Sequence, residues 1–118
     1  MLSLETRKVK ILGAEWTVQY RDRADDPLLD INDGYTDYTT RSIVVSKTDK
    51  DTEIENHDAY YRKVTRHEVI HAFLYESGLD TDSHYQIGGW AVNEEMVDWI
   101  AIQLPKIADV CLQLEILA

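Results

Sequence analysis

Apolar residues change their spacing near Lys47, and this change sets the order of secondary structure in the chain. From Lys8 to Tyr20 apolar and polar residues alternate in two short runs on either side of Gly13, a pattern typical of a β-hairpin. Residues 43–45 form a third apolar run with polar residues at both ends. After Lys47 the apolar residues follow a helical period. The sequence therefore predicts an α+β fold, in which about three antiparallel or mixed strands precede the helices.

We expect three helices to pack on this small sheet. The first contains the segment HEVIH at residues 67–71 and ends before Gly78, since glycine commonly follows a helix C-terminus. Its apolar residues cover most sides, so we expect it to be buried. The second helix runs from about Trp90 to Gln103, and Pro105 begins a third, because proline suits a first helical turn. Residues 22–34 lack an apolar period and are expected to be an exposed connection.

Composition limits the class of protein and its partners. A length of 118 residues allows one domain, which we take to span residues 1–118. The formal net charge of −10 would repel a phosphate backbone or an anionic membrane surface. No apolar run is long enough for a signal peptide or a spanning helix, and Cys111 has no second cysteine to pair with. We therefore expect a cytoplasmic protein with neither a nucleic-acid nor a membrane partner.

The segment HEVIH is the most informative motif of the sequence. His67 and His71 are four residues apart and so share one face of a helix, where both imidazoles can reach one ion. Two such histidines are half of a tetrahedral zinc site, and Glu68 beside them can take a proton from a water on the metal. Composition alone gives about 0.01 such segments in a chain of this length. The alternative is a surface helix that carries these residues by chance, with this face exposed to water.

A catalytic zinc of this kind needs a third protein ligand and leaves a fourth position for water. His57 lies too near the motif to fold back onto the same ion. The second predicted helix contains NEEMVD at residues 93–98, where Glu94 and Asp98 share a face. One of these two can bind the metal while the other accepts the free ring N–H of a ligand histidine. Glu95 instead shares its face with Trp99.

The two helical motifs together resemble those of the gluzincin metallopeptidases, the thermolysin-like class. In that class His-Glu-x-x-His is followed by a helix with Asn-Glu-x-x-Ser-Asp, and here Val97 replaces the serine. The resemblance implies three Zn²⁺ ligands, a general base, and two residues that hydrogen-bond the ligand histidines. The implied ligands are His67, His71 and Glu94, and the implied general base is Glu68. Asp98 and Asn93 are the implied hydrogen-bond partners of the ligand histidines.

The likeness is greatest to minigluzincins, small gluzincin-like proteins of bacteria and their prophages, and to peptidase domains of the ImmA/IrrE type. It covers residues 9–104, although only the two helical motifs are specific. In such proteins the strand before the active-site helix lines the cleft, which implies an edge strand at Ile43, Val44 and Val45 that a peptide can extend. The class also uses a Tyr or His to stabilise the oxyanion, and the donors between the motifs are His84 and Tyr85.

The implied function is zinc-dependent hydrolysis of peptide bonds in a peptide or protein substrate. A zinc-bound water is the nucleophile, and Glu68 carries its proton to the leaving amine. One alternative is a non-enzymatic interaction protein that uses the same cleft, with zinc only structural; Glu68 counts against it, since binding needs no base. Another alternative is a prophage regulator that cleaves one repressor, and the sequence does not separate it from a general peptidase.

Overall fold

The computed structural model describes residues 2–48, 54–80 and 94–117. Four strands and two long helices follow one another in these ranges: β1 (Arg7–Ile11), β2 (Ala14–Arg21), β3 (Gly34–Asp37), β4 (Ser42–Ser46), α1 (His57–Glu76) and α2 (Glu94–Gln113). Two single-turn 3₁₀ helices, Arg23–Asp25 and Pro27–Leu29, lie between β2 and β3. The strands form one mixed sheet in the order β1-β2-β4-β3. The predicted α+β fold with a small sheet is confirmed.

A two-residue turn joins β1 to β2 and fixes their register. Ile11 pairs with Ala14, so Leu12 and Gly13 are the turn residues. Both have positive φ, 49° at Leu12 and 89° at Gly13, as turns of the primed types require. Glycine adopts this conformation without strain, which explains its place between the two alternating runs.

The pairing register directs one row of side chains toward the helices. Val18 of β2 pairs in parallel with Ile43 of β4, and Ile43 pairs in antiparallel fashion with Thr36 of β3. Paired residues point to the same face, so these three side chains face α1 and the core. The buried core on this face combines apolar residues of the strands with those of both helices: Val9, Ile11, Trp16, Val18, Ile43, Val45, Val69, Ala72, Phe73, Val110 and Leu114.

The opposite face of the sheet is covered by the segment between β2 and β3. Val44 points to this face, and Leu29 in the second 3₁₀ helix is fully buried. Asp26 is also buried and accepts hydrogen bonds from the Tyr35 hydroxyl and from Arg21. These bonds, the Tyr35 bond foremost, lower the pKa of Asp26. The prediction of an exposed connection is therefore wrong for Asp26 and Leu29, which hold this segment against the sheet.

Strand β3 was not predicted, and it makes four strands where the sequence predicts about three. Its sequence, GYTD, has no alternation of apolar and polar residues. The segment becomes a strand because β4 pairs with it along its whole length and α1 packs across it. Tertiary contacts rather than local preference determine its conformation.

The second and third predicted helices are one helix, α2, which continues through Pro105. Proline removes a single backbone hydrogen bond, and here the helix is maintained on both sides of it. Its C-terminal half buries Val110 and Cys111 in the core. Arginine side chains donate to backbone carbonyl groups at the end of α2 and in the residues that follow it: Arg7 to Gln113, Arg62 to Glu115 and Arg66 to Ile116. Neither described helix is long and apolar enough to cross a membrane.

Candidate metal centre

The two histidines of the motif converge on the surface of α1. The helix begins at His57, where the side chain of Asn56 accepts a hydrogen bond from the Ala59 N–H. One turn separates His67 from His71, and their Nε2 atoms lie 3.1 Å apart. The two rings meet edge to face, with centroids 4.8 Å apart. The Nε2 atoms of the two imidazoles therefore point toward one common position.

This separation fits two ligands of a tetrahedral zinc ion. Nitrogens 3.1 Å apart that each lie about 2.05 Å from an ion subtend about 100° at it, near the tetrahedral angle of about 109°. The same distance suits an N–H···N hydrogen bond between a donor tautomer and an acceptor tautomer. The histidine pair thus meets the geometric requirement for two zinc ligands.

Glu68 lies on the adjacent side of α1 and is buried, with 6% of its surface exposed. The hydroxyl of Thr36, in β3, lies 3.0 Å from Glu68 Oε1 and 3.1 Å from the Glu68 carbonyl oxygen. No other described side chain bonds to this carboxylate. A hydrogen-bonded carboxylate beside two convergent imidazoles is an arrangement that can accept a proton from a water near the histidines.

Gly34 allows β3 to approach α1 closely at Glu68. A Cβ atom at this position would lie 2.9 Å from the Val44 carbonyl oxygen, 3.0 Å from Val64 Cγ1 and 3.3 Å from Glu68 Cγ. The first distance, to a backbone oxygen, is shorter than Cβ atoms show, and the second is tighter than most Cβ contacts, so only glycine fits without a shift of the backbone.

The edge strand beside Glu68 is β3, and the prediction that Ile43, Val44 and Val45 form an edge is wrong. These three residues belong to β4, which pairs with β2 on one side and β3 on the other. The Ser46 N–H donates to the Asp33 carbonyl at 2.8 Å, and antiparallel pairs alternate in their bonding. Gly34 and Thr36 therefore direct their backbone N–H and C=O groups toward the edge of β3 with which no described strand pairs.

α1 is buried on one side only, contrary to the expectation that it is buried on most sides. Ile70 is 43% exposed, and both His67 and His71 are exposed. An exposed face is what a chance surface motif requires, and it is equally what an accessible metal site requires. Glu68 separates the two interpretations in part, because a surface motif gives no reason to bury the glutamate against β3 with a hydrogen-bonded oxygen.

The remaining predicted site residues are described only in part. Glu94 is the first residue of α2 and Asp98 lies one turn later, but their side chains are outside the described part. Asn93, His84 and Tyr85 lie outside the described residues. Among the side chains that the structure does describe, no three of His, Cys, Asp and Glu form a group that could hold a metal. The described site is the histidine pair, Glu68 and the β3 edge.

Sequence reasoning missed Thr36 and Gly34. They precede Glu68 by more than thirty residues, in a polar segment without periodicity, so no local signal connects them with the motif. Comparisons with protein-family models, curated proteins and solved structures find no match for this chain.

Proposed function

We propose that this chain is a zinc-dependent peptidase. The observation that carries the proposal is the convergence of the His67 and His71 Nε2 atoms, 3.1 Å apart, beside the buried and hydrogen-bonded Glu68. In the proposed site these histidines are two zinc ligands and Glu94 is the third. Asp98 and Asn93 hydrogen-bond the ligand histidines, as the resemblance to gluzincins implies.

Each residue then has a defined chemical role. A bound zinc ion would lower the pKa of a water ligand toward about 7 and polarise a substrate carbonyl. Glu68 accepts the proton of the attacking water and donates it to the leaving amine, which is general base followed by general acid catalysis. His84 or Tyr85 is the proposed donor to the developing oxyanion.

The proposed substrate is an extended peptide that adds to the edge of β3 opposite β4. The backbone groups of Gly34 and Thr36 point to this edge, and the Thr36 side chain contacts Glu68. A peptide bound as an additional strand therefore passes close to the general base, held by main-chain hydrogen bonds. We place this activity in the cytoplasm, with neither a nucleic-acid nor a membrane partner.

The experiment combines metal analysis with a peptidase assay on protein purified without chelators. We expect about one zinc per chain in the wild type and in Glu68→Gln, and much less in His67→Ala and His71→Ala. Glu68→Gln should lose about 10²–10⁴ in rate on an unbiased peptide mixture analysed by mass spectrometry, because glutamine cannot accept the proton. Glu95→Gln, a substitution of an exposed residue, is the matched control.

Several results would contradict the proposal. Zinc near zero in every preparation would refute the metal site. Equal cleavage by wild type, Glu68→Gln and chelator-treated protein would indicate a contaminating protease. A wild type that binds zinc but cleaves neither the mixture nor any single protein would favour the binding protein over the enzyme.

A further inference from the structure

We propose that Thr36 is a positioning residue for Glu68, which it holds in the orientation that proton transfer requires. This inference rests on the proposed peptidase function. It concerns a residue of β3 that contacts α1 across a separation of 32 positions in the sequence.

The hydroxyl of Thr36 is placed to bond one oxygen of the carboxylate. Its Oγ1 lies 3.0 Å from Glu68 Oε1 and 3.1 Å from the Glu68 backbone oxygen. A hydroxyl has one hydrogen to donate, and an ionised carboxylate is the stronger of these two acceptors. Among the described residues Thr36 is the one hydrogen-bond partner of this carboxylate, and it bonds Oε1.

Two contacts from β3 restrict a side chain that is otherwise flexible. The backbone at Gly34 leaves little room beside the stem, since a Cβ atom there would lie 3.3 Å from Glu68 Cγ. The Thr36 hydrogen bond fixes the carboxylate at the far end. Glutamate loses considerable rotamer freedom when it is held, and a base that is already held loses no more when substrate binds.

The strand that holds the base is also the strand that receives the peptide. Thr36 directs its side chain to Glu68 and its backbone groups to the edge of β3 opposite β4. A bound peptide and the base would therefore contact the same residue.

The kinetic test compares Thr36→Val, which removes the hydroxyl at nearly constant volume, with Thr36→Ser, which keeps it. We expect Thr36→Val to lower kcat about 10–100-fold at unchanged KM and zinc content, and Thr36→Ser to restore most of kcat. In the Glu68→Gln background Thr36→Val should cause no further loss, since it acts through Glu68. An increase in KM with unchanged kcat would overturn the proposal. An equal loss of kcat in Thr36→Val and Thr36→Ser would also overturn it.

A second measurement uses metal-free protein and no activity. A double-mutant cycle of Thr36→Val and Glu68→Ala, read by urea unfolding, should show that Thr36→Val lowers the folding equilibrium constant about ten-fold with Glu68 present and much less without it. If Thr36→Val lowers the folding equilibrium constant equally with and without Glu68, the proposal is overturned. Coupled effects in a chain whose wild type cleaves nothing would refute the peptidase function while confirming the hydrogen bond.

Discussion

Replacing Gly34 with alanine should destabilise the protein because β3 and α1 leave no room for a Cβ atom. That atom would lie 2.9 Å from the Val44 carbonyl oxygen and 3.0 Å from Val64 Cγ1. Gly34 does not have a positive φ, so its backbone conformation is open to alanine and the effect is one of space alone. The carbonyl belongs to β4, an internal strand, and cannot withdraw without disturbing the sheet.

The expected size follows from two opposing effects. Forcing an extra carbon into a packed interior costs about 1–3 kcal/mol. Replacing glycine with alanine restricts the unfolded chain and offsets about 0.4–1 kcal/mol of this cost. We therefore expect a net loss of about 1–2 kcal/mol in the free energy of unfolding, which lowers Tm by about 4–8 °C in a domain of this size.

Urea unfolding of metal-free protein, followed by circular dichroism, measures this loss as a lower midpoint with an unchanged slope. The matched variant is Gly34→Ala combined with Val64→Ala, which removes the methyl group at 3.0 Å. The double variant should lose less than the sum of the two single losses, because one clash is relieved. A Gly34→Ala protein as stable as the wild type would refute the crowding of Gly34 by Val44 and Val64.

Further predictions concern the metal site and the effect of acid. Glu94→Ala should empty the zinc site while Glu95→Ala leaves it filled, by metal analysis; the reverse result would reassign the third ligand. Asp98→Ala should weaken zinc affinity about 10–100-fold in a competition titration with a chelating dye, and unchanged affinity would remove Asp98 from the site. The Arg62 guanidinium, followed by the backbone N–H of Leu2, lowers the pKa of Asp58, so its stabilising effect is present above about pH 4 and is lost as pH falls through the folded-state pKa. Urea midpoints should therefore fall less steeply with acid in Asp58→Asn than in the wild type.

The sequence was sufficient for the parts of the fold that local patterns determine. The hairpin around Gly13 and the helix that ends before Gly78 both appear where predicted, because alternation, helical period and glycine at positive φ are local signals. The convergence of His67 and His71 also follows from helix geometry alone. Helix geometry alone does not determine the third ligand, because that residue belongs to a second helix.

Contacts between distant segments could not be predicted. β3 is a strand because β4 and α1 surround it, and its four residues carry no strand pattern. The expected edge at Val44 was wrong for the same reason, since an unrecognised strand lies beside it. Pro105 was interpreted as a helix start, but core contacts of α2 beyond it maintain one helix.

The contacts that complete β1 involve residues that are synthesised long after it. Arg7 donates to the Gln113 carbonyl and to Glu115, 106 and 108 positions later in the chain, and Ile11 shares its core with Leu114. On the ribosome the β1–β2 hairpin and α1 can form early, yet their apolar faces stay uncovered until α2 emerges. Contacts so distant in sequence slow folding, and exposed strand faces promote aggregation in the interval. Nascent chains that end before α2 should therefore remain protease-sensitive and prone to aggregate, and protection should appear only once the residues around Leu114 have left the exit tunnel.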